Sequence, residues 1–217
     1  SPTLEKNIKF LAKDKVVTIP NGIEIPALDD KSKQKPIHCI AIGRIEKEKG
    51  IHYAIKSIAN LPEKLRKDVV LNVVGQGGYL PTLQRLASDL KIEDYIKFHG
   101  RADDKALTEI YHNSRIHLMP TTRQEGLPLT ILEGMAYGLA TIASDIGGIP
   151  GVITNDIDGI LTEPGNQNQL DQMLIKLLSN SDMIESIGNA ARHTAESRYS
   201  KQRMVDETLE VLLEAVK

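Results

Sequence analysis

Apolar residues follow two alternating patterns along the chain. Short runs rich in Val and Ile are separated by longer stretches whose apolar residues recur at the intervals of an amphipathic helix. The runs predict strands at residues 16–19, 37–42, 69–74, 96–99, 116–119, 140–143 and 159–161. The stretches between them predict helices at residues 51–59, 80–90, 104–113, 128–137 and 167–178. This alternation predicts an α/β fold with a parallel sheet and helices on both faces.

The pattern changes after Asn180, where two further helices are predicted without a strand between them. They cover residues 182–197 and 201–216 and form a C-terminal helical tail. The second carries apolar residues at helical intervals: Met204, Leu209, Leu212 and Val216. No internal repeat, low-complexity tract or Gly/Ser linker interrupts residues 1–217, so we expect a single domain.

Composition and charge narrow the range of partners and compartments. The 217 residues include 27 Lys and Arg against 29 Asp and Glu, a formal charge of −2, so nucleic acid is not an expected partner. Cys39 is the only cysteine and lies in an apolar run, which favours a buried residue and a reducing compartment. No stretch approaches the roughly 20 apolar residues of a membrane span, and the N-terminus has no signal-peptide pattern. We therefore expect a cytoplasmic protein.

The segment from Gly43 to Gly50, GRIEKEKG, follows a predicted strand and leads into a helix. Ligands of open parallel sheets bind at such carboxyl ends of strands. Gly43 allows a sharp turn, and Gly50 allows the helix start to approach a ligand. Arg44 and Lys49 bring two cations to one phosphate group. A solvated charged loop is the alternative interpretation, since three further charged residues lie between the two cations.

A glycine cluster, Gly75-Gln76-Gly77-Gly78, follows the next strand. Glycines at this place permit close backbone approach by a phosphate or a flat base. The cluster lacks the full G-x-G-x-x-G fingerprint and a ribose-binding acid at the next strand end. It therefore does not indicate nicotinamide binding.

Residues 125–136, EGLPLTILEGMA, place two carboxylates around a predicted helix start. Pro128 suits the first helical turn, where an amide would have no partner. The amides of Leu129 and Thr130 then point outward from the positive end of the helix dipole and form a seat for an anion. Glu125 lies at the mouth of this seat.

Glu133 is the only charged residue between Gly126 and Ser144. The apolar and small residues around it predict that its side chain is buried, and a buried carboxylate needs hydrogen-bond donors. Two sources of donors fit the sequence. One is a structural partner such as a buried Arg or a backbone amide, and the other is a sugar diol, which supplies two hydroxyl groups.

The histidines show no metal-ligand spacing, and no metal site is predicted. We interpret all of them as core or surface residues: His38, His52, His99, His112, His117 and His193. Asp103 and Asp104 are interpreted as the start of the following helix, where acids are favoured, and not as a cation site.

Together, residues 43–50 and 125–133 resemble the G-R-x4-K-G and E-x7-E motifs of the family 4 retaining glycosyltransferases. The likeness extends over nearly the whole chain. Asn21-Gly22-Ile23 resembles that family's loop before its second domain, and Gly147-Gly148-Ile149-Pro150 resembles its small-residue turn after a late strand. Two positions differ from the family pattern, since Gly151 stands where many members carry an acid and Leu127-Pro128 replaces the more usual Phe-Gly. The identity of the sugar is the property that these differences leave least defined.

The resemblance implies a role for each motif residue. Arg44 and Lys49 bind the diphosphate and Glu125 binds the transferred sugar, and these three are the expected catalytic residues. Glu133 binds the ribose hydroxyls, and the loop at residues 75–78 with the backbone near residues 100–101 holds the base. The expected donor-binding residues are Gly43, Gly75, Gly77, Arg101, Gly126, Leu127, Leu129, Thr130 and Glu133.

The resemblance also implies that the predicted sheet is Rossmann-like. Residues 1–217 would then be the C-terminal, nucleotide-sugar-binding domain of a GT-B enzyme, with the N-terminal acceptor domain absent. The expected enzyme transfers a hexose-type sugar from a UDP- or GDP-sugar to a glycan, lipid or small-molecule acceptor, with retention and with neither metal nor cofactor. Its expected partners are the nucleotide-sugar donor and the missing N-terminal domain. Any peripheral contact with a membrane is expected only through that missing domain. The isolated chain is expected to be inactive, and one apolar stripe of its last helix is expected to be exposed or paired with a neighbour.

Two alternatives stay open. One is a sugar-nucleotide epimerase of the same architecture, and the other is a non-catalytic nucleotide-sugar-binding module.

Overall fold

Six of the apolar runs form one parallel sheet in the computed structural model, which describes residues 16–28 and 36–215. The strands are β1 (Ile37–Ile42), β2 (Val69–Val74), β3 (Ile96–Gly100), β4 (Ser114–Met119), β5 (Ala140–Ser144) and β6 (Ile160–Thr162). Their order in the sheet is β3-β2-β1-β4-β5-β6. This is the doubly wound order, in which the chain returns from β3 to the other side of β1 and then winds in the opposite direction.

The predicted helices are all present within the described residues. The helices of the structure are α1 (Ile51–Asn60), α2 (Glu63–Arg66), α3 (Leu80–Asp89), α4 (Asp104–Asn113), α5 (Leu129–Ala136), α6 (Gln167–Leu178), α7 (Ser181–Arg198) and α8 (Lys201–Ala215). The short α2 was not predicted. The bounds of α4 and α6 are as predicted, and the other predicted ends that fall within the described residues differ by at most one residue. Asp103 begins α4 as expected, because its side chain accepts a hydrogen bond from the amide of Ala106 at 2.8 Å.

Both faces of the sheet are buried under helices, as predicted. Cys39 and Ala41 pack into the core beneath α1, α3 and α6, whereas Ile40 points to the opposite side and packs with Tyr111 and Leu139. Helices α5 and α7 cover that second face. Cys39 is fully buried and burial raises the pKa of its thiol to about 12, so it behaves as the core residue that was predicted.

The strand predicted at residues 16–19 is wrong. These residues pair with no strand in the described part of the chain, and Val17 is 63% exposed. The segment that follows docks against the junction of α7 and α8, where the amide of Ile23 donates to the carbonyl of Tyr199 at 2.8 Å and the amide of Lys201 donates to Ile23 at 2.8 Å. The N-terminal segment is therefore attached to the helical tail and not to the sheet.

Helix α8 exposes an apolar stripe on its outer side. The exposed fractions are 47% for Val205, 54% for Leu209, 58% for Leu212 and 54% for Leu213. Leu209 and Leu212 of the predicted stripe are thus exposed, whereas Met204 is partly buried and its sulfur accepts a hydrogen bond from the amide of Gly22. Residue 216, which was also predicted to belong to the stripe, lies outside the described residues. None of the helices in the described ranges is long and apolar enough to cross a bilayer.

Candidate functional site

The loops that carry the predicted site residues lie at one edge of the sheet. They follow the carboxyl ends of β1, β2, β3 and β4, and β1 and β4 are neighbours in the sheet. In a doubly wound sheet, the winding reverses between two such strands and a crevice opens outside their carboxyl ends. The loops after β1 and β4 therefore form the two walls of one crevice.

Two glycines of the cluster after β2 touch the loop after β1. A Cβ on Gly75 would lie 1.8 Å from the carbonyl oxygen of Gly43, and a Cβ on Gly77 would lie 2.2 Å from that of Ile45. The sequence predicted that these glycines permit close approach by a ligand. In the structure their close contacts are with the neighbouring loop, so they fix the relative position of the first two loops.

Gly50 plays the same part between the loop after β1 and the end of β4. Its φ of 74° lies in the left-handed region, and a Cβ there would lie 1.8 Å from the carbonyl oxygen of Pro120. Hydrogen bonds reinforce this contact, because Thr121 donates from Oγ1 to the carbonyl of Glu48 at 3.0 Å. The close approach expected for Gly50 is thus to the end of β4.

An ion pair joins the two sequence motifs across the crevice. Nζ of Lys49 lies 2.7 Å from Oε1 of Glu125, and the two side chains are only 17% and 16% exposed. The residues are 76 positions apart in the chain, so their contact results from the fold. A cation predicted to bind phosphate and a carboxylate predicted to bind sugar therefore occupy one partly buried place.

Arg44 lies further out and is 61% exposed. Its guanidinium contacts Glu46 at 2.8 Å, and the other oxygen of Glu46 lies 3.5 Å from Arg123. Sequence reasoning missed Arg123, although a basic residue two positions before Glu125 in a strand-end loop was a usable signal. Arg44 and Arg123 thus form a second basic group around Glu46, separate from the ion pair of Lys49 and Glu125.

The backbone of the Glu125 loop is held by the turn after β5. The amide of Gly148 donates to the carbonyl of Glu125 at 2.7 Å. A Cβ on Gly148 would lie 1.7 Å from the carbonyl oxygen of Gly126, and one on Gly147 would lie 2.5 Å from that of Glu125. The glycine pair is therefore required for packing between two loops of the site.

Helix α5 begins at Leu129, one residue later than predicted, and the buried Pro128 caps it. The amide of Ile131 donates to the carbonyl of Pro128 at 3.0 Å. The amides of Leu129 and Thr130 make no hydrogen bond to any described residue, and the side chain of Leu129 is 44% exposed. The predicted anion seat thus has two available donors at a positive helix end.

Glu133 lies one turn further along α5 and is half-buried. Its Oε2 accepts a hydrogen bond at 2.8 Å from the hydroxyl group of Tyr111, which belongs to α4. Burial raises the pKa of Glu133, and the bond from Tyr111 opposes that rise. The structural partner is thus a tyrosine, where the sequence suggested an Arg or a backbone amide, and it leaves the second carboxylate oxygen for another donor.

The remaining residues predicted to bind the sugar donor lie in the loops next to Lys49, Glu125 and Glu133. Gly126 is exposed at the mouth, and Leu127 packs partly into the core beneath α5. Arg101 follows β3, two strands away from β1, and its side chain is exposed. The backbone nevertheless connects it to the site, because the amide of Gly75 donates to the carbonyl of Gly100 at 2.7 Å.

His117 lies in β4 directly beneath α5 and is fully buried. Neither of its ring nitrogens has a hydrogen-bond partner among the described residues, and the same is true of Oγ1 of Thr141, its neighbour on β5. Burial lowers the pKa of His117 to about 4. A Cβ on Gly134 would lie 2.9 Å from Nδ1 of His117, so this histidine is a core residue, as predicted, that supports α5 next to Glu133.

The amino-acid sequence is similar to those of known glycosyltransferases. The family model described as Glycosyl transferases group 1 matches residues 27–194. An uncharacterized glycosyltransferase of Methanocaldococcus jannaschii is 28% identical over 206 residues, which make up 91% of this chain and 52% of that protein. The chain spans about half the length of the curated relatives it matches.

Solved structures share the fold. Anabaena Alr3699/HepE in complex with UDP superposes with a TM-score of 0.75 at 21% identity, over 82% of this chain and 49% of that chain. The C-terminal domain of a group 1 glycosyl transferase (LpcC) from Francisella tularensis superposes with a TM-score of 0.69 at 27% identity, over 76% of this chain and 86% of that chain. The described residues therefore have the fold of one half of a GT-B glycosyltransferase.

Proposed function

The chain belongs to the group 1 glycosyl transferases, and on that premise we propose that it is the C-terminal, donor-binding half of a cytoplasmic, family 4 retaining enzyme. It binds a nucleotide diphosphate sugar. With an acceptor-binding half, it transfers a hexose-type sugar to a glycan, lipid or small-molecule acceptor. The observation that carries this proposal is the partly buried pair of Lys49 and Glu125, which joins the cation and the carboxylate of the two motifs in one crevice.

The crevice has the charges that the departing diphosphate requires. Cleavage of the bond between sugar and phosphate leaves negative charge on the diphosphate, and catalysis requires groups that stabilise this charge in the transition state. Lys49 and Arg44 supply two cations, and the amides of Leu129 and Thr130 supply two donors at a positive helix end. These fixed positive groups supply the charge that a metal ion would otherwise provide, so the proposed reaction is metal-independent.

The ion pair between Lys49 and Glu125 suits a site in which one residue binds phosphate and the other binds the sugar. Without a ligand, Lys49 and Glu125 neutralise each other at 2.7 Å, which lowers the cost of keeping either charge partly buried. When the nucleotide sugar binds, Lys49 turns towards the phosphate groups, and Glu125 accepts hydrogen bonds from hydroxyl groups of the transferred sugar. The two reacting parts of the donor are thereby held by residues that already lie side by side.

The nucleoside is bound on the neighbouring loops. Glu133 is half-buried with one oxygen available, which suits a ribose diol with two hydroxyl donors. Gly75, Gly77 and Arg101 belong to the loops proposed to hold the base, where the two glycines act through the packing of their loop against the loop after β1. The solved structure of Anabaena Alr3699/HepE shares this fold and contains UDP, which supports a nucleotide as ligand of the proposed enzyme.

The proposal that the chain is half of an enzyme rests on its length relative to its relatives and on the exposed apolar stripe of α8. The chain spans about half of its curated relatives, and the assigned groups all serve the donor. The exposed stripe of α8, with Leu209 at 54% and Leu212 at 58%, fits a helix that packs against a further domain.

The decisive experiment compares this chain with its full-length parent. Both are titrated calorimetrically with UDP, GDP, ADP and their common sugar conjugates, and both are incubated with donor and acceptor for product mass spectrometry. We expect this chain to bind one nucleotide but to transfer almost no sugar, because the acceptor hydroxyl is not positioned, and positioning accounts for about 7–11 kcal/mol of a barrier.

Two results would contradict the proposal. Transfer by this chain at a rate close to that of the parent would place an acceptor site within residues 1–217. Binding of none of the nucleotides by either protein would remove the donor site itself.

A further inference from the structure

Tyr111 is held firmly between α4 and the sheet. The residue is 2% exposed, and its ring stacks on Tyr137 with ring centroids 4.9 Å apart and planes 8° apart. His112 contacts the ring of Tyr137 edge-on at 5.0 Å. A tyrosine enclosed in this way needs a partner for its hydroxyl group, and the partner is Oε2 of Glu133 at 2.8 Å.

This hydrogen bond connects two helices and fixes the orientation of the carboxylate. With Oε2 occupied by Tyr111, the remaining acceptor is Oε1, and Glu133 is only half-buried. Resting on the proposed function, we infer that Tyr111 is a positioning residue that orients Glu133 so that its second oxygen accepts the ribose hydroxyls of the nucleotide.

The same bond favours the ionised form of Glu133. Burial raises the pKa of Glu133, whereas the hydrogen bond from Tyr111 lowers it. Burial also raises the pKa of Tyr111, so the phenol keeps its proton and is the donor. A ribose diol offers two donors and is best matched by a carboxylate that only accepts. Because a bound nucleotide buries Glu133 further, the bond from Tyr111 opposes the protonation that this burial favours.

Other titratable groups lie near this pair. Tyr137 follows Glu133 by one helical turn and stacks on the ring of Tyr111, and His112 contacts the ring of Tyr137 edge-on. His117 of β4 contacts α5 at Gly134, and burial lowers its pKa to about 4. Within the described residues no cationic side chain pairs with Glu133. These groups are present in the parent and in a Tyr111→Phe variant, so a difference in pH dependence between the two proteins reports on the bond between Tyr111 and Glu133.

Tyr111→Phe tests the inference because it keeps the stacked ring and removes only the hydroxyl group. The chain is titrated with UDP, GDP and ADP, and then with the 2′,3′-dideoxy form of the nucleotide that binds. We expect the variant to lose affinity for the ribonucleotide on the order of tenfold at neutral pH, and for the dideoxy form by less than about twofold. The preference for the ribonucleotide should also disappear at a higher pH in the variant than in the parent, because Glu133 takes up a proton more readily. The ratio of the two affinities cancels the titration of the phosphates, which both ligands share.

Tyr137→Phe is the matched control, since the hydroxyl of Tyr137 makes no hydrogen bond to a described residue while its ring shares the stack. It should leave the preference for the ribonucleotide unchanged. In a Glu133→Ala background, adding Tyr111→Phe should change ribonucleotide affinity by less than about twofold, because alanine offers the hydroxyl group of Tyr111 no acceptor. Equal losses for the ribonucleotide and its dideoxy form, or an unshifted pH profile, would overturn the inference. A parent chain that binds none of the three nucleotides would overturn the proposed function, and the inference with it.

Discussion

His117 makes the stability of the chain depend on pH in a direction that the structure defines. Its side chain is fully buried between β4 and α5, and neither ring nitrogen has a partner among the described residues. Protonation would place an unpaired charge in this apolar environment, which is costly. Burial therefore lowers the pKa of His117 from 6.5 to about 4.

Between these two values, the unfolded chain binds a proton at His117 that the folded chain does not bind. The stabilising contribution of the neutral ring is therefore complete above pH 6.5 and is lost as the pH falls from 6.5 to about 4. At about 1.4 kcal/mol per pH unit, the loss amounts to roughly 3 kcal/mol. This is a large share of the roughly 5–15 kcal/mol by which a domain is stable.

Urea unfolding of the parent and of His117→Leu at pH values from about 4 to 8 measures this contribution. Leucine has a similar size and no titratable group. The free energy of unfolding of the parent should fall by roughly 3 kcal/mol more than that of the variant across this range. Other groups with a shifted pKa, such as His38 and Glu133, are present in both proteins and cancel in the comparison. Parallel curves would refute the reasoning, since they would mean that the ring is hydrated or hydrogen-bonded in the folded protein.

Three further predictions concern the site. Glu133→Gln should keep the fold but weaken binding of a nucleoside diphosphate about ten- to a hundredfold in calorimetry, because it removes the negative charge that strengthens the hydrogen bonds from the ribose to the oxygen that Tyr111 leaves available. Lys49→Ala should weaken binding of the diphosphate far more than that of the free nucleoside, by a margin that shrinks as salt is raised. Lys47→Ala, an exposed lysine of the same loop, is its control, and equal losses for both ligands would assign Lys49 to structure alone. Gly148→Ala should lower Tm by about 5 °C or more, because the new Cβ would lie 1.7 Å from a carbonyl oxygen. Gly78→Ala meets nothing within 4 Å and should leave Tm nearly unchanged, so similar shifts for the two variants would contradict the role of Gly148.

The sequence predicted most of the fold because burial leaves a direct pattern. Strands covered on both faces appear as continuous apolar runs, and the bounds of α4 and α6 agree with the prediction since Asp103 and Asn166 cap them. Residues 16–19 have the same Val and Ile content but pair with no strand among the described residues. A strand requires a neighbour, and local composition does not encode where the neighbour lies.

The site was predictable as a set of charged groups but not as a set of contacts. The motifs identified Lys49 and Glu125, yet their pairing spans 76 positions of the chain. Tyr111 was missed because its contact with Glu133 depends on how α4 and α5 pack. The available signal was a tyrosine on the apolar side of α4, since a buried phenol needs a partner. Glu133 could therefore be predicted to need donors, but only the structure identifies the one that it has.

The glycines of the motifs explain how such charges can be held in place. Gly50 allows contact with the end of β4 beside Lys49, and Gly148 allows contact with the Glu125 loop. Stabilisation of a departing diphosphate is effective only when the charged groups are positioned before the reaction. In the proposed function, glycine at these places therefore acts through the packing of the loops and not by direct contact with the ligand. It follows that Gly148→Ala should lower both Tm and nucleotide affinity, whereas Lys49→Ala should lower affinity with a much smaller change in Tm. A Gly148→Ala variant that loses stability but keeps the affinity of the parent would separate loop packing from the placement of Glu125, and would show that the charges do not depend on it.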